Sequence, residues 1–377
     1  MAAGRVRAAY AALAVLFVAF GAVDGTWSAR LPALKQRLDL GSGVFGVVVF
    51  VGTLAAAAIL PVAGLLTARR GSRGPTAAGL LVASLGLTAA AFAPTLGALV
   101  PAVCVLGVGV GTADVAANSH GIALEHRLER PILSGLHGTW SVGLLLGSAV
   151  AAAAAASGIS PRVQFPVVAL AVTVAVAAAT PHLLAGTAAD VDSAHFALPR
   201  GALALPAFLF FCALFVESAA LSWTAVFLSG PVGAGAAVAA TGVAVYAVAM
   251  TVARFAGDRL LVRWSVGGLA RRSGLLTCVG MTLALVTRAP APALVGIACV
   301  GAGSAAIVPA LFRVAGTMPG VAAGAGIAAC ATAGYAGAVV NGPVIGFAAH
   351  AVGLTWALSL VVVAAGLVAL LGPRLGR

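Results

Sequence analysis

Charged residues are scarce in this sequence. The 377 residues include 21 Lys and Arg and 9 Asp and Glu, so charged residues make up 8% of the chain, whereas soluble proteins contain about 25%. A soluble chain of this length would form roughly two or three domains and would need a much larger hydrated surface. The apolar runs are long and do not alternate as the strands of outer-membrane barrels do. The composition excludes a soluble enzyme and leaves a helical protein embedded in a membrane.

Cysteine and nucleotide-binding motifs are equally sparse. The five cysteines are scattered singly and form no CxxC or Cys/His spacing, which argues against zinc and against a disulfide framework. No GxxxxGKS/T loop occurs, so we do not expect ATP to be the energy source for this protein. We expect neither a metal nor a cofactor, and the absence of a paired catalytic motif argues against an enzyme.

The apolar sequence is divided by charge clusters and Gly/Pro turns into segments of about 20 residues, the length that crosses a bilayer as a helix. We predict twelve spans, at 8–29, 43–66, 75–93, 97–118, 132–155, 163–184, 202–228, 236–257, 273–289, 291–312, 323–348 and 353–371. The widest gap between spans is a polar segment. We therefore predict an N-terminal six-helix bundle over 1–184, a cytoplasmic linker over 185–201 and a C-terminal six-helix bundle over 202–377.

The basic residues are distributed unequally between the two sides of the predicted membrane domain. With the N-terminus inside, fifteen arginines fall on the cytoplasmic side and five basic residues fall outside. Cytoplasmic loops of membrane proteins carry the excess of Lys and Arg. The count predicts that both termini lie in the cytoplasm, and it explains the net charge of +12 without a nucleic-acid partner.

An internal repeat is visible when the sequence is shifted by 194 residues. Gly107 and Gly109 then coincide with Gly301 and Gly303. Two parallel six-helix halves are an architecture of membrane transporters. The repeat and the span count predict an all-α integral membrane protein, with twelve transmembrane helices in two pseudo-symmetric six-helix bundles.

Ionisable side chains within the predicted spans identify candidate functional positions, because each costs about 2.5–3.5 kcal/mol to insert. Asp24, Asp114, His137 and Glu217 lie in the first, fourth, fifth and seventh spans. A carboxyl group in a medium of low dielectric can hold and release a proton near neutral pH. These four residues are therefore candidates for proton coupling. The alternative is that they have packing or interfacial roles.

Asp114 and His137 are expected to lie at the same depth in the membrane. Each is a few residues from the loop between the fourth and fifth spans, and a helix rises about 1.5 Å per residue. A contact between them would form a proton relay or an inner gate, because histidine titrates near neutrality. The alternative is a structural hydrogen bond between neighbouring helices.

Aromatic and amide side chains in the spans are candidates for lining a substrate cavity. Trp27 and Trp223 lie outward of Asp24 and Glu217. At these positions an indole either anchors the chain at the membrane interface or stacks on a ring-shaped solute. The full set of cavity candidates is Trp27, Asn118, Trp140, Trp223, Tyr335 and Asn341.

The segment from Gly64 to Arg73 resembles the signature loop between the second and third helices of the major facilitator superfamily. Ala68 replaces the usual aspartate of that loop. A second copy after the eighth span keeps Asp258 but has Arg254 where a glycine is usual. Arg254 lies within a span and needs a partner, for which Asp258 is the local candidate. The resemblance implies that gating involves Arg69, Arg70, Arg73, Arg254, Asp258 and Arg259.

Four further segments, 25–32, 118–125, 130–138 and 308–312, resemble the YbjJ-like branch of bacterial inner-membrane transporters, which are distant relatives of sugar permeases. The resemblance to the major facilitator superfamily covers essentially the full chain, and it implies a multi-pass protein of the cytoplasmic membrane that works by alternating access. Drug/proton antiporters of the superfamily usually have a Gly-Pro pair in the fifth helix and an arginine in the fourth. This chain has neither feature in those spans, which argues against drug efflux.

These features together predict a secondary active transporter that is coupled to protons and moves a small polar, sugar-like solute. The alternatives are an efflux pump for a lipophilic or antibiotic-like compound and an uncoupled uniporter. A receptor is disfavoured because no sizeable soluble module is visible in the sequence. We expect a monomer whose partners are its small-molecule substrate, protons and the lipid bilayer.

The charge distribution gives a test of topology. A reporter enzyme that is active only in the periplasm, fused after Arg377, should be inactive because both termini are predicted to be cytoplasmic. The same reporter inserted after Asp39, in the predicted outside loop, should be active and serves as the positive control. Activity of the C-terminal fusion would contradict the predicted orientation.

Overall fold

The computed structural model describes residues 2–129, 132–185, 201–287, 289–318 and 323–376. Most of these residues are helical. The α-helices are α1 (Ala2–Arg37), α2 (Ser42–Arg70), α3 (Arg73–Phe92), α4 (Leu96–Leu128), α5 (Leu133–Ala156), α6 (Pro161–Ala179), α7 (Ala204–Ser229), α8 (Ala236–Thr287), α9 (Pro290–Ser304), α10 (Ile307–Gly316), α11 (Ala323–Val352), α12 (Leu354–Ala357) and α13 (Ser359–Leu371). Short 3-10 turns follow α6, precede α7 and follow α13.

Twelve segments of the described chain are long and apolar enough to cross a membrane, which confirms the predicted number of spans. Two of them, Ala236–Arg254 and Trp264–Thr287, lie within α8. The helices α9 and α10 form one span together, and so do α12 and α13 with the turn that follows them. Helices suit this environment because each one satisfies its own backbone N–H and C=O groups.

The predicted loop between the eighth and ninth spans is instead helical. The α8 backbone continues from Ala236 to Thr287, and Ser265, with φ of 60° and ψ of 169°, interrupts it. The intervening sequence is rich in Arg and Leu, which are good helix formers, so the first helical part of α8 extends past its charged residues as far as Ser265, where a second helical part begins. The ninth span consequently begins at Trp264, and the predicted start at residue 273 is wrong.

The helices pack into two units. The first comprises residues 1–39 and 51–191, and the second comprises residues 40–50 and 192–377. In the first unit α1 packs against α5 and α6, and α3 packs against α4 and α6. In the second unit α7 packs against α8, α11 and α13, and α8 packs against α9 and α13. Most of the predicted linker lies outside the described residues, so the predicted domain boundaries stay a prediction.

The internal repeat predicted from the glycines is present in the helix contacts. In the first unit Gly107 of α4 lies against the backbone oxygen of Gly52 in α2, leaving no room for a side chain. In the second unit Gly301 of α9 lies against the backbone oxygen of Tyr246 in α8 in the same way. Both members of the second pair are 194 residues beyond those of the first.

A second pair of close helix contacts is related by the same offset of 194 residues. Gly109 of α4 packs directly on the backbone of Ala83 in α3, and Gly303 of α9 packs on Thr277 in α8. Helices in a membrane gain van der Waals contact when small residues let their backbones approach. The two halves therefore repeat the same glycine-dependent helix contacts, which confirms the predicted pseudo-symmetry.

Two arginines at the end of α1 hold neighbouring segments of the first unit. Arg37 donates hydrogen bonds to the carbonyl oxygens of Ala90 and Ala93, at 3.1 and 3.0 Å. These carbonyls lie in and just beyond the last turn of α3, where helical partners are lacking. Arg30, which is 6% exposed, donates to the carbonyl oxygen of Ile159. Both arginines lie in the part of α1 that follows residue 29, the predicted end of the first span, so the helix is longer than predicted.

The glycine contacts predict a specific effect on stability. Gly109→Val and Gly303→Val should each lower the free energy of unfolding by about 1–3 kcal/mol, because overpacking forces the helices apart. Thermal unfolding of the purified protein in detergent measures the loss. Gly74→Val is the control, because no atom lies within 4 Å of a Cβ at that position. Equal stability of all three variants would contradict the role given to the close contacts.

Candidate functional site

The crossing of α1 and α5 is built on glycines from both helices. Gly21 and Gly25 of α1 face the backbone of α5, and Gly143 and Gly147 of α5 face the backbone of α1. A Cβ atom at any of these four positions would overlap a main-chain atom of the other helix. The crossing therefore brings polar side chains of the two helices within reach of each other.

Asp24 and Trp140 meet at this crossing. The indole Nε1 of Trp140 donates a hydrogen bond of 3.0 Å to Oδ2 of Asp24. Both side chains are partly exposed, and the ring of Phe20 packs edge-on against the indole at 6.5 Å between centroids. The structure thus joins a proton-coupling candidate to a cavity candidate that are 116 residues apart in sequence.

Asp114 and Asn118 form a second polar group on α4. The amide Nδ2 of Asn118 donates to Oδ1 of Asp114 at 2.8 Å and to the carbonyl oxygen of Asp114 at 2.9 Å. The carboxylate of Asp114 is close enough to Asp24 for the two charges to interact. The first unit therefore brings two carboxylates, an amide and an indole together from three helices.

His137 and Trp27 have apolar neighbours on α1. His137 is exposed on α5, three residues before Trp140, and its ring packs edge-on against Phe17 at 5.7 Å between centroids. Trp27 is partly buried and packs against the hydrophobic core of the first unit. The expected contact between Asp114 and His137 stays a prediction.

An ion pair links α7 and α8 in the second unit. Nη2 of Arg254 lies 3.6 Å from Oε1 of Glu217, with the two side chains 20% and 14% exposed. The partner proposed from sequence spacing was Asp258. The side chains of Asp258 and Arg259 lie outside the described residues, so the observed partner of Arg254 is Glu217 on the neighbouring helix.

Trp223 and Asn341 are fully buried in the second unit. The indole Nε1 of Trp223 donates to Oδ1 of Asn341 at 3.1 Å, and Nδ2 of Asn341 donates to the hydroxyl of Ser218 at 2.9 Å. The ring of Phe45 packs edge-on against Trp223 at 5.1 Å between centroids. Neither side chain is accessible at the protein surface, whereas Tyr335 on α11 is partly exposed.

In each half, a hydrogen bond from an indole links the first helix to the fifth, but the group that accepts this bond differs between the halves. Ser218 is the residue that coincides with Asp24 at the offset of 194. In the first unit an indole on the fifth helix donates to the Asp24 carboxylate. In the second unit an indole on the first helix of that half donates to the neutral amide of Asn341. The ionisable version of this link occurs in the N-terminal half.

The turn between α2 and α3 is anchored by a histidine that the sequence analysis missed. The Ser72 hydroxyl and Nδ1 of His120 in α4 are 2.8 Å apart, and both residues are fully buried. Among the gating candidates beside this turn, Arg69 and Arg70 are exposed and Arg73 is partly buried. The sequence did contain a signal for this contact, because His120 is a second ionisable residue in the fourth helix. It lies on a different helical face from Asp114 and Asn118.

Several known proteins are similar to this chain, although no protein-family model matches it. It is 31% identical over 350 residues to an uncharacterised MFS-type transporter of Yersinia pestis, covering 92% of this chain and 88% of that protein. It is 30% identical over 365 residues to the uncharacterised transporter y4wD of Sinorhizobium fredii, covering 95% and 96%.

The fold is also shared with solved transporter structures. The D323A mutant of the nucleoside transporter NupG superposes with a TM-score of 0.73 at 14% identity, over 97% of this chain and 98% of that one. A bacterial homologue of the human lysosomal transporter Spinster gives a TM-score of 0.75 at 13% identity, over 98% and 96%. This chain is therefore a multi-pass membrane transporter and not an enzyme, and it belongs to the major facilitator superfamily.

Proposed function

We propose that this transporter moves a small polar solute across the cytoplasmic membrane of a bacterium by alternating access, with protons as the coupling ion. In alternating access a binding site opens to one side of the membrane at a time. The proposal rests on one observation, the partly exposed Asp24 carboxylate that accepts a hydrogen bond from Trp140 beside Asp114.

Asp24 is the stronger candidate for the proton carrier. Two nearby carboxylates in a medium of low dielectric repel each other when both are ionised, and a proton bound by one of them relieves this repulsion. Asp24 makes no ion pair with any side chain that the structure describes. Glu217 is different because the positive charge of Arg254 lies beside it and balances its own.

Proton binding at Asp24 would change the link between α1 and α5. An ionised carboxylate accepts a charge-assisted hydrogen bond, which is about twice as strong as a neutral one. A proton on Asp24 therefore weakens the bond from Trp140, and its release restores that bond. This gives proton binding a direct mechanical consequence at a helix crossing that otherwise consists of rigid glycine contacts.

A small polar, sugar-like solute suits the groups gathered around Asp24. The carboxylate and the Asn118 amide supply hydrogen-bond acceptors and donors. The Trp140 indole offers an aromatic face against which an apolar ring face packs. The resemblance of the sequence to relatives of sugar permeases supports the same substrate class.

Replacing Asp24 by Asn tests the proton carrier. Asp24→Asn keeps the size and the acceptor for Trp140 but cannot titrate. In proteoliposomes, accumulation of labelled monosaccharides and polyols driven by a pH gradient should fall to the background level. Exchange of the same solutes between equal concentrations should persist, because it needs no net proton movement.

The control for this experiment is Asp39→Asn, which removes a carboxylate between α1 and α2. Asp39 has a φ of 49°, a backbone conformation that asparagine tolerates well. Asp39→Asn should accumulate solute like the natural protein.

Normal gradient-driven accumulation by Asp24→Asn would exclude Asp24 as the carrier. Uptake by the natural protein that does not depend on the pH gradient would indicate a uniporter. Gradient-driven expulsion of lipophilic dyes instead of sugar uptake would favour efflux.

The ion pair in the second unit predicts a compensating pair of mutations. Glu217→Gln and Arg254→Gln should each lower the free energy of unfolding by up to about 3 kcal/mol, because each leaves one charge without its partner. The double variant should recover most of this loss, which thermal unfolding measures through a double-mutant cycle. Additive losses would show that the two side chains do not depend on each other.

The same double variant also separates the two acidic residues by function. If Glu217 serves as a charge-balanced structural residue, Glu217→Gln with Arg254→Gln should keep gradient-driven accumulation. Loss of accumulation with normal exchange in this double variant would move the proton carrier from Asp24 to Glu217.

A further inference from the structure

A cavity of about 630 Å³ lies beside the part of α8 that follows Ser265. Arg271, Arg272, Leu275 and Pro373 contribute to its lining, together with the backbone around Gly267 and Gly268. All of these residues belong to the second unit. None of the residues assigned above to coupling, substrate or gating lines it.

The backbone at this cavity is that of a helix start. Ser265 leaves the helical conformation, and its hydroxyl accepts a hydrogen bond of 3.3 Å from the N–H of Gly268 in the first turn of the new helical segment. The N-terminal end of a helix carries a partial positive charge and favours anions. The 3-10 turn at Gly372–Gly376 contributes Pro373 to the lining and lies directly against Gly267.

Two adjacent arginines add full positive charges. The guanidinium of Arg272 lies 4.7 Å from the centre of the Trp264 ring, and its Nη1 donates to the carbonyl oxygen of Gly268 at 3.2 Å. A guanidinium has five N–H donors in a planar fork that matches the oxygens of a phosphate group. Arg271 and Arg272 are both exposed, and no acidic residue is among the described residues that line the cavity.

An apolar track leads away from the arginines along the same helix. Leu275, Val279 and Val286 are 49%, 64% and 75% exposed. Their positions follow Arg271 by 4, 8 and 15 residues, a spacing that places all four on one helical face. Trp264 begins this span, where interfacial tryptophans are common. The cavity thus joins a basic end to an exposed apolar surface on a segment that is long and apolar enough to cross a membrane.

We propose that this cavity binds the phosphate group of an anionic phospholipid, with Arg271 and Arg272 on the headgroup and the acyl chains along Leu275, Val279 and Val286. Basic pockets at the ends of transmembrane helices bind such headgroups. A free phosphate ion would satisfy the arginines equally well. The exposed apolar track is the feature that favours a lipid, because it contacts acyl chains that a free phosphate lacks.

Lipid binding to the purified full-length protein tests the proposal. Native mass spectrometry with phosphatidylglycerol should show a bound lipid that phosphatidylcholine, which has no net charge, does not replace. In the variant Arg271→Gln with Arg272→Gln, binding should be about tenfold weaker, because each basic group near a membrane surface contributes to holding an anionic lipid. Arg69→Gln with Arg70→Gln is the matched control, since it removes two adjacent exposed arginines at the end of another helix.

Each remaining outcome decides the proposal. Equal weakening in both double variants would show general attraction to charge and would overturn the site, as would equal binding of both lipids. Displacement of the lipid by millimolar inorganic phosphate or glycerol 3-phosphate would assign the cavity to a soluble phosphate instead.

If the glutamine variant does not fold, Arg271→Lys with Arg272→Lys replaces it. This variant keeps the charge but loses the planar fork, so it should bind phosphatidylglycerol measurably less tightly than the natural protein, and unchanged binding would overturn the assignment to the two guanidinium groups.

Discussion

Backbone N–H and C=O groups inside a bilayer find no water, so each must be paired within the protein, and this requirement determines the rest of the structure. It makes every membrane-spanning segment a helix. It also leaves little hydrophobic force between helices, because lipid tails are as apolar as the side chains. Close packing must hold the helices together instead. The glycines that pair α1 with α5, α3 with α4 and α8 with α9 are therefore the structural basis of each unit.

The same lack of water favours polar side chains that pair with a group on another helix. An unpaired donor or acceptor in hydrocarbon costs several kcal/mol, so the indoles of Trp140 and Trp223 both reach a partner on another helix. The two halves solve this problem at equivalent crossings, one with a carboxylate and one with an amide. This difference leaves a titratable link in the N-terminal half and a neutral one in the C-terminal half. Under the proposed mechanism, this asymmetry assigns proton binding to one half of a protein whose two halves share the glycine-dependent helix contacts.

Helix ends form a third group of polar contacts. Arg37 satisfies carbonyl oxygens at the end of α3, and Ser72 meets His120 where α2 turns into α3. Ser265 and Arg272 organise the start of the second part of α8 in the same way. The carbonyl oxygens of Ala90 and Ala93 and the N–H of Gly268 are backbone groups that the helix itself leaves without a partner. Contacts of this kind fix where each helix ends relative to its neighbours within a unit.

The sequence by itself determined the number of spans, their approximate limits, the repeat and the family resemblance. These depend on local apolarity, on length and on residue spacing, which all act along one helix. It also identified Asp24, Asp114 and Glu217 as unusual, because an ionisable group in a long apolar run is visible without a structure. It placed the start of the ninth span at residue 273 and not at Trp264, because the charged segment was taken as a loop, whereas the backbone on both sides of Ser265 is helical.

Only the tertiary structure decided which polar residues meet. Trp140 contacts Asp24, and Trp223 contacts Asn341, across more than one hundred residues of sequence. Arg254 pairs with Glu217 on a neighbouring helix. Such contacts depend on how far each helix is rotated about its axis and where two helices cross. Those quantities are set by the close packing of many small residues at once, and no single spacing in the sequence contains them.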